Sequence, residues 1–317
     1  MTSLLPDQHR FLNRVGPTPL VPVKLTPDHP AIWCKLEFLN PSGSTKDRIA
    51  RYILEKAWRQ GRLRAGDRVI EASSGSTSIA LALACAQMRL RFLAVMPEGV
   101  SDERVLIIKA YGGEVAFTPK DDGIRGAIAE TERLGRESGA FLPRQFGNPD
   151  NAEAHRTGTA REILDQVPAG RVDAIVSGVG TGGTLVGVYQ GLCQSGCSVI
   201  PVLARPINVR CSLGAECCSF SGRIPGVVDQ ISTIFQDGEM PGLLQIEVDD
   251  EDAIDTARQL ITLGFPVGPS SGLNFRAALA AFDQLADPNA QIVTVFPDRM
   301  ERYFTTELFK PYTGKAE

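Results

Sequence analysis

The chain has 317 residues, 43% of them hydrophobic and 22% charged, the balance of a globular enzyme with one large or two medium domains. A formal net charge of -4 argues against nucleic acid or an anionic membrane surface as a partner, since both select basic surfaces. The opening "MTSLLPDQHR" lacks a basic segment followed by an apolar run, so no signal peptide is expected. No apolar run approaches the roughly 20 residues that cross a bilayer. The seven cysteines (34, 85, 193, 197, 211, 217 and 218) form no paired spacing, and the histidines are only His9, His29 and His155. Reduced thiols in a cytoplasmic protein, and no metal site, are the expectation.

In chain order, short apolar runs alternate with stretches of helical period. "AIWCKLEF" (31–38) reads as a strand, and 45–60 as a helix with Ile49, Ile53, Leu54 and Ala57 on one face. "RVIEA" is a strand, "STSIALALACAQM" a buried helix and "RFLAVMP" a strand. A helix follows over 101–113, with Ser101 as N-cap and Gly112 near its end. "EVAFTP" is a strand, and 122–137 a helix. Beyond them come the strand "VDAIVSGVG", a helix after "TGGT", the strand "SVIPVLA", the helix "EDAIDTARQLITLG" and the strand "QIVTVFPD". This alternation predicts an α/β fold, with parallel sheets covered by helices on both faces. "RQFGNPDN" marks a domain boundary near 145–150, and 205–245 reads as a long irregular loop region.

Four turns carry chemistry. "NPSGSTKDR" (40–48) leads into a helix with Lys46 in its first turn, where the helix dipole favours the neutral amine that Schiff-base formation needs. "EASSGSTS" (71–78) ends a strand and starts a helix, and its hydroxyls and first-turn N–H groups suit a carboxylate. In "SGVGTGGTLVGV" (177–188) the glycines let backbone wrap an anion at a helix N-terminus, with Thr181 and Thr184 as further donors. It is neither a Walker loop nor a dinucleotide fingerprint. "GPSSGLN" (268–274) is another hydroxyl-rich turn before a helix.

These turns, with "VGPTPLVPV" (15–23), "QFGNPDN" and "VFPDRMERYFTT", resemble the cysteine synthase and cystathionine β-synthase family, fold type II of the pyridoxal-phosphate (PLP) enzymes. The resemblance runs along nearly the whole chain. It implies two three-layer doubly wound domains like those of tryptophan synthase β. Residues 36–148 would be a smaller, mobile substrate-binding domain carrying Lys46, and 1–35 with 149–317 a larger domain binding the PLP phosphate. It implies that Lys46 holds PLP and moves the α-proton. Gly180, Thr181, Gly182, Gly183 and Thr184 would bind the phosphate, and Ser270 the pyridine nitrogen. Ser73, Ser74, Gly75, Thr77 and Gln145 would grip the substrate carboxylate.

Two departures stand out. Ser76, a cofactor-binding position, replaces the family's asparagine, and Ser78 its glycine. The family's Gly-Ile-Gly-x-Gly segment is replaced at 210–229 by "RCSLGAECCSFSGRIPGVVD", which brings Arg223 to the substrate side as a candidate for a second anionic group. The activity implied is β-replacement on O-acetylserine or O-phosphoserine through an α-aminoacrylate, in a cytoplasmic homodimer acting on small amino acids. Three alternatives stay open. One is an amine nucleophile giving a diaminopropionate precursor, another a desulfhydrase or serine dehydratase elimination, and the third a non-catalytic PLP-binding regulatory protein.

Overall fold

The structure is a computed structural model; it describes residues 12–168, 170–208, 221–227, 231–236, 238 and 240–313. The chain divides into two compact units, residues 1–16 with 40–151, and 17–39 with 152–317.

The smaller unit is built on a three-stranded parallel sheet of β3 (Arg68–Ala72), β4 (Arg91–Pro97) and β5 (Glu114–Thr118). Strand side chains alternate between faces, so this sheet has two cores. Val69, Phe92, Ala94 and Met96 point one way, into α1 (Lys46–Arg59), α2 (Ser76–Met88) and α3 (Asp102–Ala110). Ile70, Ala72, Leu93 and Val95 point the other way and meet Ala127 of α4 (Gly123–Ser138). Helix α2 is apolar nearly all round, as its sandwiched position requires. The segment before residue 17 belongs to this unit rather than to the larger one. Leu12 is buried in its first core, Arg51 donates to the Val15 carbonyl (3.2 Å), and the Gly16 N–H reaches Asn40 Oδ1 (3.0 Å).

The larger unit holds a six-stranded sheet in the order β1 (Leu20–Val23), β2 (Ile32–Leu36), β9 (Ile292–Phe296), β6 (Ala174–Ser177), β7 (Ile200–Ile207) and β8 (Leu244–Asp249). Only the β1–β2 pair is antiparallel. One face packs on α8 (Asp250–Thr262) and α9 (Pro269–Leu285), through Ile32, Cys34, Val176, Val202, Ala204 and Ile246. The other meets α6 (Ala160–Gln166) and α7 (Gly183–Gln194), through Leu20, Ile175 and Val293. Each unit is therefore a three-layer α/β sandwich, the fold class read from the strand and helix alternation. Helix α5 (Asp150–Ala154) runs into α6 through a π-helical turn, His155–Thr159.

Strands β1 and β8 and the α5–α6 helix extend the elements expected from the sequence. Strand β8 completes the stretch read as irregular, and much of 205–245 lies outside the described residues. Among the described residues Cys34 and Cys85 are buried free thiols, Cys193 is exposed and Cys197 half-buried; no cluster suited to a metal ion is found there. Burial pushes the Cys34 and Cys85 thiols up, so both stay protonated. No described helix is long and apolar enough to cross a membrane.

Candidate active site

Lys46 opens α1 and is half-buried, its backbone N–H held by Ser44 Oγ at 3.2 Å. The turn into the helix is buried at Ser44 and Thr45, and the Thr45 hydroxyl has no hydrogen-bond partner among the described residues. A buried orphan hydroxyl costs free energy unless something else satisfies it, which suits a ligand at this helix start.

The second hydroxyl turn lies in the same unit and follows β3. Ser73 Oγ accepts the N–H of Gly75 (3.0 Å) and of Ser78 (3.4 Å), which leaves its own proton to donate elsewhere. Gly75 has no room for a side chain: a Cβ there would stand 2.4 Å from Arg104 Cδ. Arg104, from α3, is buried and donates to the Ser74 carbonyl at 3.1 Å, pinning the turn from behind. Ser74 is half-buried, and Ser76 begins α2. Ser78 Oγ is fully buried without a partner among the described residues.

Thr77 behaves differently from the expectation. Gln145 Nε2 donates to the Ala72 carbonyl (2.6 Å), which can only accept, so the amide oxygen faces Thr77. Thr77 then donates its single hydroxyl proton to Gln145 Oε1 at 2.6 Å. It orients Gln145 and has no second proton for a carboxylate. Gln145 is itself held from both sides: Asn151 Nδ2 donates to its carbonyl (2.8 Å), and its N–H donates to Glu71 Oε2 (3.1 Å). Glu71 Oε1 takes the Ala72 N–H at 2.9 Å. Burial pushes the Glu71 carboxyl up to about 8, against backbone N–H bonds that pull it down.

In the larger unit the glycine turn joins β6 to α7. Backbone approach there is close enough that a Cβ on Gly180 would lie 2.2 Å from the Gly226 carbonyl oxygen. Gly182 sits at φ 81°, and a Cβ there would be 2.5 Å from Phe235 Cβ. Only glycine satisfies both demands. The first N–H groups of α7, from Gly183 and Thr184, have no intrahelical acceptor and face outward from the helix start. Ser232 Oγ donates to the Thr181 carbonyl and anchors the turn. Thr184 Oγ1 lies 3.3 Å from Nε2 of the buried His155, whose Nδ1 is 2.9 Å from Thr159 Oγ1. At the start of α9, Ser270 and Ser271 are buried, and the Ser271 hydroxyl has no partner among the described residues.

Comparison with known proteins accords with this geometry. The sequence pattern described as "Pyridoxal-phosphate dependent enzyme" matches residues 12–298. The chain belongs to this family. Its cofactor is pyridoxal 5'-phosphate, and it is an enzyme of the cysteine synthase-like class. A cysteine synthase of Staphylococcus aureus is 36% identical over 304 residues, which is 93% of this chain and 95% of that protein. The O-ureido-L-serine synthase of Streptomyces lavendulae is 34% identical over 313 residues, covering 96% and 94%. Among solved structures, the cysteine synthase of Entamoeba histolytica superposes with a TM-score of 0.83 at 32% identity, covering 98% of this chain and 94% of that one.

The residues present fit a PLP group. The glycine turn would take a phosphate on backbone N–H groups and the Thr184 hydroxyl, and Ser270 offers a buried hydroxyl rather than a carboxylate for a ring nitrogen.

Arg223 is placed where it has no charge to spare. Its guanidinium meets Glu251 (2.8 Å), Glu307 (2.5 Å) and, at 3.8 Å, the buried Asp250. Those carboxylates hold it more firmly protonated than a free arginine, and they compensate its charge within the protein. The rest of 210–229 lies largely outside the described residues. Sequence reading missed Glu71, Arg104, Asn151 and His155. Glu71 did leave a signal, a lone carboxylate inside the apolar strand "RVIEA".

Proposed function

We propose that the enzyme catalyses β-replacement on O-acetyl-L-serine, with sulfide as the nucleophile and L-cysteine as the product. The observation that carries this reading is the pairing of two features. One is a hydroxyl-rich strand-to-helix turn whose Ser73 accepts two N–H groups and keeps its proton to donate; the other is a hydroxyl, not a carboxylate, at Ser270. A full positive charge on the pyridine ring would not be held by a hydroxyl. The cofactor therefore supplies a moderate electron sink at Cα, suited to loss of a β-substituent.

The chain's own residues do the following. Lys46 is the covalent anchor and, once displaced, its Nζ takes the α-proton and later returns it. Ser73 Oγ and Ser74 Oγ donate to the substrate carboxylate, with the second Nε2 hydrogen of Gln145. Thr77 keeps that amide turned the right way. Gly180, Thr181, Gly182, Gly183 and Thr184 hold the cofactor phosphate, and Ser76 is a further cofactor-binding position by the family resemblance. We assign Arg223 to the acidic cluster that surrounds it rather than to substrate. That assignment removes the support for a phosphate leaving group and favours acetate.

The likeness to an O-ureido-L-serine synthase keeps the nucleophile open to experiment. We also propose a cytoplasmic homodimer with a mobile smaller domain, on the family resemblance. Sedimentation would check the dimer.

The test is product analysis of the PLP-loaded enzyme. It is given O-acetyl-L-serine or O-phospho-L-serine, each with sulfide, with hydroxyurea, or with no nucleophile. Acetate release coupled to cysteine formation is expected. Pyruvate and ammonia as the dominant products with sulfide present would overturn the reading in favour of elimination.

A further inference from the structure

We infer that Glu71 is a positioning residue for the substrate carboxylate, which it serves by fixing the main chain of Gln145 to the end of β3. The inference rests on the proposed carboxylate role of the 73–77 turn and Gln145.

The two halves of that site come from distant parts of the chain. The turn follows β3 directly, whereas Gln145 lies 68 residues beyond Thr77 in a loop. Something must hold that loop at a fixed distance from the turn, because a hydrogen bond to a carboxylate fails beyond a few tenths of an ångström of error. Glu71 spans the gap. It is 2% exposed, it stands one residue before the end of β3, and its two oxygens accept from the two pieces separately. Oε1 takes the Ala72 N–H at 2.9 Å, on the strand that runs into the turn. Oε2 takes the Gln145 N–H at 3.1 Å. Asn151 holds the same residue from its carbonyl side at 2.8 Å, so Gln145 has no freedom to drift.

The Gln145 side chain then completes a closed circuit. Its Nε2 returns to the Ala72 carbonyl and its Oε1 receives the Thr77 proton. Ala72 is thus engaged at both its N–H and its C=O, one by Glu71 and the other by Gln145. A carboxyl group at 71 presents one oxygen to each N–H group, and both oxygens keep acceptor lone pairs when it is protonated. A glutamine cannot accept from both, because its NH2 must face one of them and leave that N–H buried without an acceptor. The chemistry at position 71 is therefore specific to a carboxyl group and is not satisfied by shape alone.

The test measures steady-state kinetics of the holoenzyme with Glu71→Gln, Ser73→Ala and Asn151→Ala. In Glu71→Gln, KM for O-acetyl-L-serine is expected to rise tenfold or more. The kcat at saturation and KM for sulfide should stay within threefold, and the bound-cofactor absorbance should be unchanged. Binding of ethanolamine, an amine without a carboxylate, should be the same in wild type and variant. A purely structural lesion would weaken both ligands alike.

Ser73→Ala separates the two claims. If it leaves KM for O-acetyl-L-serine unchanged, the carboxylate reading of the turn is wrong. If it raises KM while Glu71→Gln does not, the reading stands and the inference about Glu71 is overturned. Should Glu71→Gln fail to fold, Asn151→Ala decides. A selective rise in KM for the amino acid supports the positioning of Gln145, and equal loss toward ethanolamine refutes it.

Discussion

The turn after β3 and the turn after β6, which we propose hold the substrate carboxylate and the cofactor phosphate, are both strand-to-helix connections, yet they are built on opposite principles. In the first, side chains do the work. Glu71, Gln145 and Thr77 form a hydrogen-bonded circuit with the Ala72 backbone, while Ser73 Oγ accepts two N–H groups of its own turn and keeps its proton to donate. In the second, side chains are removed. Gly180 and Gly182 are pressed against Gly226 and Phe235, and the ligand is met by backbone. A circuit of side chains reads the identity of its ligand, because each donor can be altered singly. A backbone cup reads shape and charge alone, which is what a cofactor phosphate requires. Variation among relatives that differ in substrate should therefore concentrate on the first turn and spare the second.

The sharpest way to test this division is at Lys46. Lys46→Ala should lower turnover by about 10²–10⁴-fold, the scale of a lost acid–base group. The cofactor should become removable by gel filtration but still be retained weakly through its phosphate. Borohydride reduction and peptide mapping of the wild type should mark Lys46, and a mark on another lysine would defeat the assignment.

Next in size is Gly182→Ala. It combines a left-handed φ with a Cβ 2.5 Å from Phe235. We expect a loss of about 1–3 kcal/mol of stability and weakened PLP affinity, with no selective effect on the amino-acid KM of whatever fraction stays loaded. Fluorescence titration of the apoenzyme with PLP measures the affinity. Ser73→Ala should do the reverse, costing about 1.5–3 kcal/mol in substrate binding, the scale of a hydrogen bond to a charged group, with PLP affinity intact. If the two variants gave the same profile, the division of labour between the turns would collapse.

A pH effect follows from Glu71. Its carboxyl in the folded protein is raised to about 8, well above that of an unfolded chain. The neutral form is favoured by folding, so its contribution is fully present below about pH 4.5 and is lost as pH climbs toward 8. Glu132 nearby adds to the upward shift. Denaturant titrations at pH 6 and pH 8.5 should show wild type losing more stability across this interval than Glu71→Gln. A parallel response would show that Glu71 titrates normally.

The smallest effect is expected at Arg223. Arg223→Ala should leave KM for O-acetyl-L-serine within twofold and lower stability by about 0.5–1 kcal/mol, given its partly exposed ion pairs. Denaturation alongside kinetics checks both halves.

Much of this architecture is legible in the sequence because local signals agree with tertiary demands. Helix α2 and strand β4 are apolar along most of their length and bounded by Gly, Arg or Pro, and both occupy the spans that their patterns predict. The turn after β6 is readable because glycines crowded at 178, 180, 182 and 183 cost backbone entropy that only close approach or a positive φ can justify. Strand β1 is less so: four residues with a proline give almost no period. Ser101 stands at the N-cap of α3 as expected but makes no side-chain cap bond, since a residue type favours a cap without enforcing it. Thr77 could be recognised as part of the site, but not its commitment to Gln145, because the direction of a hydroxyl proton depends on a partner 68 residues away. Arg223 misleads for the same reason, as its three carboxylates arrive from α8 and from beyond residue 300.

The π-helical turn at 155–159 acts as a phase shifter. It places one more residue in its turn than an α-helix would, and it lies where Gly187 and Gly191 of α7 let the two helices touch backbone to side chain. His155, which opens the turn, is clocked to meet Thr184 in the first turn of α7; downstream, Glu162 and Gln166 are clocked to meet Lys35 and Thr18 beside the sheet. The wide turn takes up its additional residue locally, so both sets of contacts are met by one continuous helix without a break in the chain.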